Sequence, residues 1–221
     1  MTISVRPGST VLFAGDSITD CQRLESEDGL GFGYPLRVAG EWGLRHPDRP
    51  VTWLNTAHGG DKVRDLQARW QTDVLDARPD LVTLLVGVND VGWHTLDPQG
   101  YVIAVEEFEA GYDRLLAPLA EAGTQLIVIE PFLLPIRGVV EAGAGVLIGE
   151  EERKEWRADL DPKIQVVREL ARTYGAQLLA ADGMFAALAA TAGPEYWAAD
   201  GVHPTPAGHA ALAAAWLRLV A

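Results

Sequence analysis

A chain of 221 residues fits one hydrophobic core, since single cores stop growing only near ~250–300 residues, and 48% apolar with 22% charged residues excludes a disordered or fibrous class. Acidic residues outnumber basic ones 31 to 18, and the formal charge of −13 repels nucleic-acid phosphates and anionic lipid surfaces, which leaves neutral or cationic small molecules as partners. Cys21 is the single cysteine, so neither an intrachain disulfide nor a cysteine zinc site is available, and a reducing compartment suits the chain.

The opening residues carry no long apolar run, so no signal peptide is expected, and no segment approaches the ~20 apolar residues of a membrane span. A cytoplasmic protein is the resulting expectation. Residues 11–14 form a short apolar run closed by Gly15, which predicts a buried strand, and Gly15-Asp16-Ser17 predicts a tight turn opening a helix. Such a turn puts Ser17 at the C-terminal edge of a sheet, where open α/β sheets bind their ligands. Taken alone, Ser17 reads better as a helix N-cap than as a nucleophile, because serine is a preferred cap residue.

Further along, residues 34–44 have helical spacing and are stopped by Pro47 and Pro50, and residues 51–54 predict the second strand. Residues 61–76 predict one amphipathic helix with Val63, Leu66, Trp70 and Val74 on a single face. The continuous apolar run 81–86 suits a central parallel strand covered on both sides. A helix over 104–121 and a strand over 125–129 follow, ending at Pro131. Residues 132–149 are apolar and Gly-rich without periodicity, which predicts a long loop lining a pocket or a subunit contact. A charged helix over 150–174, a strand over 177–180, a short helix over 185–190 and a last helix over 206–219 complete the chain, with no internal repeat.

Five strands alternating with helices predict an α/β fold: one three-layer α/β/α domain over residues 1–221, with a five-stranded parallel sheet in flavodoxin-like order 2-1-3-4-5. Three of its edge turns carry Gly15-Asp16-Ser17, Asn55-Thr56-Ala57-His58-Gly59-Gly60-Asp61 and Gly87-Val88-Asn89-Asp90, and Asp200-Gly201-Val202-His203-Pro204 lies near the C-terminus. Together they contain what acyl transfer from an ester needs. Ser17 can act as nucleophile, His203 as its base and Asp200 as the group that orients the imidazole. The backbone N–H groups of Ser17 and Gly60 and the side-chain amide of Asn89 can serve as oxyanion donors, and a glycine at position 60 lets the backbone approach a substrate closely.

These four blocks, in this order, resemble those of the SGNH, or GDSL, hydrolase superfamily, and they span nearly the whole chain. The resemblance implies that Ser17, Gly60, Asn89 and His203 are nucleophile, two oxyanion donors and base. Longer matches, among them Asp65-Leu66-x-x-Arg69-Trp70 and Trp197-Ala198-x-Asp200-Gly201-Val202-His203-Pro204, resemble the intracellular bacterial acetylxylan esterase branch. Members of that branch remove acetyl groups from xylo-oligosaccharides and some assemble as homo-oligomers. The expectation is therefore a serine esterase without cofactor or metal that acts on a small ester such as an acetylated sugar, within a homo-oligomer.

Other readings compete with this one. A lysophospholipase- or thioesterase-like enzyme with broad short-chain ester specificity shares the same machinery. A metal-dependent phosphoesterase built from Asp16, Asp61, Asp90 and His203 lacks the histidines of a two-metal site. A non-catalytic flavodoxin-like module lacks both Gly-x-Gly-x-x-Gly and the lysine of a phosphate-binding loop. Asp16 and Asp20 are assigned to the helix dipole and turn hydrogen bonds, Cys21 to a small buried hydrophobe, and His46 and His209 to surface or packing. His58 and His94 read as solvated loop residues. Trp42, Trp53, Trp70, Trp156 and Trp216 fall on helix or strand patterns, whereas Trp93 and Trp197 lie in predicted edge loops, where a ring can stack on a sugar or close an acyl pocket.

Overall fold

The computed structural model describes residues 3–91, 102–142 and 146–221. Its centre is the most apolar run of the chain, β3 (Leu81–Leu85), which is buried along its whole length. β1 (Thr10–Gly15) pairs with it in parallel, from Val11 beside Leu81 to Gly15 beside Leu85. β2 (Thr52–Asn55) lies outside β1, β4 (Gln125–Ile129) lies on the other side of β3, and β7 (Gln177–Leu179) closes that edge. The five-stranded sheet is parallel throughout, with order β2-β1-β3-β4-β7. Counting only its own strands, this is the expected 2-1-3-4-5.

Alternation along each strand sends side chains to two separate cores. Phe13, Ile127 and Ile129 face one side, under α2 (Tyr34–Arg45), α6 (Ala181–Ala192) and α8 (Pro206–Leu217). Leu12, Val82 and Val128 face the other, under α3 (Val63–Trp70) and α4 (Val105–Glu121). The long helix α5 (Glu150–Thr173) serves both, with Leu160 and Ile164 in the first core and Val167 and Leu170 in the second. In the first core the Phe13 ring stacks on Trp53 at 6.1 Å between centroids and meets Tyr34 edge-on at 5.6 Å. Trp216 also contacts Phe13, and its buried indole N–H donates to Thr83 Oγ1 at 2.8 Å, so the one polar group in that strand is satisfied.

Several elements differ from the expectation. The helix expected over 61–76 is α3 followed by a π-turn, Gln71–Leu75, in which Asp76 N–H reaches back to Gln71 C=O at 2.9 Å. Val74 stays buried through the wider turn, so apolar spacing alone could not tell the two apart. The expected loop 132–149 contains an antiparallel hairpin, β5 (Val140–Ala142) and β6 (Val146–Ile148), whose three-residue strands are too short to display a period. The short helix expected over 185–190 is the twelve-residue α6, masked in the sequence because its Ala-rich ends offer little apolar contrast. The helix expected to open at Ser17 is present as the one-turn α1 (Ser17–Asp20), whereas α7 (Pro194–Trp197) falls below the length that periodicity detects. Among the described residues, no helix is long and apolar enough to cross a membrane.

Phe13 is fully buried at the junction of β1 with the aromatic cluster. Phe13→Ala is expected to lower the unfolding free energy by about 3–5 kcal/mol, read from the urea midpoint. A loss below about 1 kcal/mol would show that neighbouring rings close the cavity.

Candidate active site

The strand-to-helix turn after β1 depends on Gly15, whose φ is +152° and where a Cβ would lie 2.1 Å from Leu85 C=O. Only glycine lets β1 run this close to β3. The next residue, Asp16, is fully buried and is the N-cap of α1, its Oδ1 accepting the Ile18 N–H at 3.0 Å. Ser17 is therefore not the cap. It is the first residue of the helix, and its hydroxyl is left to another partner.

That partner is His203. Ser17 Oγ lies 2.9 Å from His203 Nε2, and His203 Nδ1 lies 2.6 Å from Asp200 Oδ2. Asp200 Oδ1 accepts the backbone N–H groups of Val202 and His203 at 2.9 and 2.7 Å, which locks the carboxylate in its own turn. Burial pushes the Asp200 carboxyl up, but the His203 contact and these N–H groups hold it net below the usual range. Burial likewise pulls the His203 imidazole down, and the hydrogen bond and charge of Asp200 more than reverse this, so its pKa lies above the ordinary histidine value. An ionised Asp200 accepts a hydrogen bond from Nδ1–H, which turns the Nε2 lone pair toward the Ser17 hydroxyl.

A dense set of hydrogen bonds pins the second turn, residues 55–61, beside this pair. Asn55 donates to Thr19 C=O and Leu30 C=O at 2.8 and 2.9 Å and accepts from Ala57 N–H at 3.0 Å. Arg23 donates to Ala57 C=O at 2.5 Å, and Asp20 accepts the Gly59 N–H at 2.9 Å. Arg69 donates to Thr56 C=O, Asp61 and Asp73 at 2.6, 2.6 and 2.7 Å. From the third turn, the Asn89 side-chain amide donates to Asp61 C=O at 2.9 Å, and Asp90 accepts the Val63 N–H at 3.1 Å. Gly60 has φ +87° and open space around its Cα, while a Cβ on Gly59 would stand 3.8 Å from Ser17 Cβ. The turn carrying Gly60 is thus held next to Ser17, with room where a Cβ on Gly60 would stand.

Other residues singled out in the sequence fall in different places. Trp197 ends α7, donates its indole N–H to Leu188 C=O at 3.0 Å and packs against the first core; it does not line the cleft at Ser17. Trp93 lies outside the described residues, as does His94. His58 is exposed on the second turn. His209 is buried, accepts the Tyr34 N–H at Nδ1 (3.2 Å) and faces Cys21 Sγ with Nε2 at 3.6 Å. Burial lowers its pKa to about 4, so it is neutral near pH 7. Cys21 is half-buried rather than a core residue, and it borders the Ser17 cleft. Asn55 and Arg23 were not singled out in the sequence as site residues. Arg69 appeared only inside the motif Asp65-Leu66-x-x-Arg69-Trp70.

The cleft at Ser17 and His203 has a volume of about 490 Å³. A cleft of about 570 Å³ opens at the N-terminal ends of the strands, around Arg6, Asp80 and Thr124, and one of about 630 Å³ lies between residues 133–137 and helices α5 and α6. Among the described residues, neither is lined by a histidine.

The chain is similar to known proteins over most of its length. A model of the GDSL-like lipase/acylhydrolase family matches residues 13–211. The chain is 31% identical to an acetylxylan esterase of Geobacillus stearothermophilus, over 98% of this chain and 95% of that protein. The crystal structure of that esterase superposes with a TM-score of 0.80 at 32% identity, covering 97% of this chain and 94% of the other. A protein of Parabacteroides merdae, described as a GDSL-like lipase, superposes with a TM-score of 0.86 at 30% identity, covering 99% and 98%. Further structures of the Geobacillus esterase are catalytic mutants in which a serine or a histidine is replaced by alanine.

Two buried carboxyls next to the site make stability depend on pH. Desolvation pushes Asp16 and Asp90 each up to about 7, opposed by the backbone N–H of Ile18 and Val63 respectively. In the folded chain both hold protons that the unfolded chain releases near pH ~4, so their contribution to stability is lost as pH rises from about 4 to about 7. Urea midpoints are expected to fall across that interval, and Asp16→Asn is expected to flatten the slope. A slope left unchanged by the substitution would assign the effect to other groups.

Proposed function

For a chain that belongs to the GDSL-like lipase/acylhydrolase family, and is accordingly a carboxylic ester hydrolase acting on small-molecule esters, we propose a serine mechanism in which Ser17 carries the acyl group. The observation that supports it most directly is the continuous chain from Ser17 Oγ through the His203 ring to Asp200, at 2.9 and 2.6 Å. His203 Nε2 takes the hydroxyl proton as Ser17 Oγ attacks the ester carbonyl. The imidazolium so formed is stabilised by Asp200. The N–H groups of Ser17 and Gly60 and the Asn89 amide meet the negative oxygen of the tetrahedral intermediate. His203 then passes its proton to the departing alkoxide, which leaves an ester on Ser17. A water deprotonated by His203 attacks that ester and releases the acid.

Preorganisation favours this reading. The Gly60 turn is anchored by four side chains from three other segments, so little reorganisation is needed when charge develops on the substrate oxygen. The acyl group in this reading is acetyl, carried on a xylo-oligosaccharide or another sugar. Similarity to an acetylxylan esterase along almost the full chain supports that choice. Release of acetate from acetylated xylo-oligosaccharides, set against a panel of longer acyl chains and lysophospholipid, tests it; turnover confined to the longer acyl chains or lysophospholipid would overturn the acetyl-sugar assignment.

Ser17→Ala is expected to lower kcat on 4-nitrophenyl acetate by at least about 10³-fold with folding intact, and near-parent turnover would remove the acyl-enzyme. Asn89→Ala is expected to lower kcat by about 10²–10³-fold; an effect on KM alone would contradict an oxyanion role. Because Asp200 raises the His203 pKa, activity should be lost on acidification through a midpoint above the ordinary histidine value. Asp200→Asn should move that midpoint down as well as slow turnover, and a limb that did not move would belong to a different group.

A further inference from the structure

If His203 protonates the leaving group, the alcohol must depart beside the His203 ring. The cleft on that side has His203 and Pro204 along one wall and residues of the segment following α1 along the other. Its volume of about 490 Å³ falls within the ~300–1,000 Å³ range of small-molecule sites.

This second wall is built by unusual backbone. α1 ends after one turn because Cys21 and Gln22, neither of them glycine, both adopt left-handed conformations, with φ of 39° and 62°. Two such residues in succession persist only where the surroundings hold them. Here Asp20 accepts the Arg23 N–H at 3.1 Å, Gln22 C=O accepts the Glu25 N–H at 2.9 Å, and Ser26 Oγ donates to Arg23 C=O at 3.0 Å. The chain is thereby folded back so that Gln22, Leu24 and Glu25 line the cleft. Leu24 is 84% exposed, a large aliphatic side chain standing at the rim.

The charges are equally selective. Arg23, the cation of this segment, is turned toward Ala57 C=O and does not line the cleft. Among the described residues that do line it there is no lysine or arginine. Asp20 and Glu25 are the carboxylates among the described lining residues; Asp20 is held by the Gly59 and Arg23 N–H groups, His209 is neutral, and Glu25 adds a second negative charge to the cleft. A carboxylate and a primary amide accept and donate hydrogen bonds to neutral hydroxyls, an aliphatic rim packs on the C–H face of a sugar ring, and a phosphate-bearing alcohol would be repelled.

We propose that Gln22, Leu24 and Glu25 form the subsite for the leaving alcohol and select an uncharged polyhydroxy group over an anionic one. This rests on the serine esterase reading above. The test compares kcat/KM of the full chain for acetylated xylo-oligosaccharide, an acetylated glycerol phosphate and 4-nitrophenyl acetate. In a Gln22→Ala/Glu25→Ala double variant, the ratio of sugar ester to nitrophenyl ester is expected to fall about tenfold. In Glu25→Lys, the ratio of phosphate ester to nitrophenyl ester is expected to rise about tenfold at low ionic strength and to shrink with added salt, a gain that misfolding cannot produce.

Ratios within about twofold of the parent in both variants would overturn the subsite, as would a parent protein that already prefers the phosphate ester. A parent protein inactive on 4-nitrophenyl acetate would instead overturn the esterase reading itself.

Discussion

Residues 55–63 run along the sheet edge outside any helix or strand for most of their length, so their backbone groups must find partners among side chains or neighbouring strands. They find both. The N–H groups of Thr56 and His58 go to Phe13 and Gly15 at the end of β1, while Asp20, Arg23, Asn55, Arg69, Asn89 and Asp90 pair with backbone groups of Thr56, Ala57, Gly59, Asp61 and Val63. All of those side chains except Arg69, which reaches the loop from α3, belong to or directly touch the segments that carry Ser17 and Asn89. The same bonds that satisfy the loop therefore fix the relative positions of the groups assigned to the reaction. A loop free to relax would still be paired with water, but it would no longer hold Gly60 beside Ser17.

That rigidity comes with a conflict around Asp16 and Asp90. Both carboxyls are buried and both are raised toward neutrality, yet each accepts a backbone N–H at the start of a helix that frames the site. Asp16 Oδ2 and the Tyr112 hydroxyl have no hydrogen-bond partner among the described residues, which adds to the cost. An apolar residue in place of Asp16 would relieve the desolvation, but would leave the Ile18 N–H uncapped and the one-turn helix that starts at Ser17 without its anchor. Local instability here accompanies close placement of Ser17, a pattern common where strain and function coincide.

Much of this was legible before the structure, for identifiable reasons. β1, β3 and β4 are continuous apolar runs closed by Gly or Pro, and alternation with helices predicts a parallel sheet, to which the flavodoxin-like order is the best match. Ser17, Gly60, Asn89, Asp200 and His203 were recognisable because each sits in a turn with its own composition, and the structure brings Ser17, His203 and Asp200 into hydrogen-bonding contact. What escaped were interactions without a local signature. Nothing around Asn55 reveals that its amide spans Thr19 and Leu30, and nothing around Gln22 reveals a left-handed conformation, because both depend on segments distant in the chain or on tertiary restraint. Ser17 as a cap was a sound local inference that failed for a local reason: Asp16, one residue earlier, is an equally good cap and occupies the position first.

The pairing of Gly15 with Leu85 has a consequence for how the site keeps its dimensions. Ser17 stands two residues beyond one member of that pair and Asn89 four beyond the other, so the gap between hydroxyl and amide is measured from adjacent strands whose separation is a constant of sheet hydrogen bonding, ~4.7–4.9 Å. The ruler of the site is thus a property of the backbone lattice rather than of loop sequence. Segments inserted farther along either connection can change in length and composition, and with them the molecules admitted, while the spacing at which the chemistry is performed is inherited unchanged.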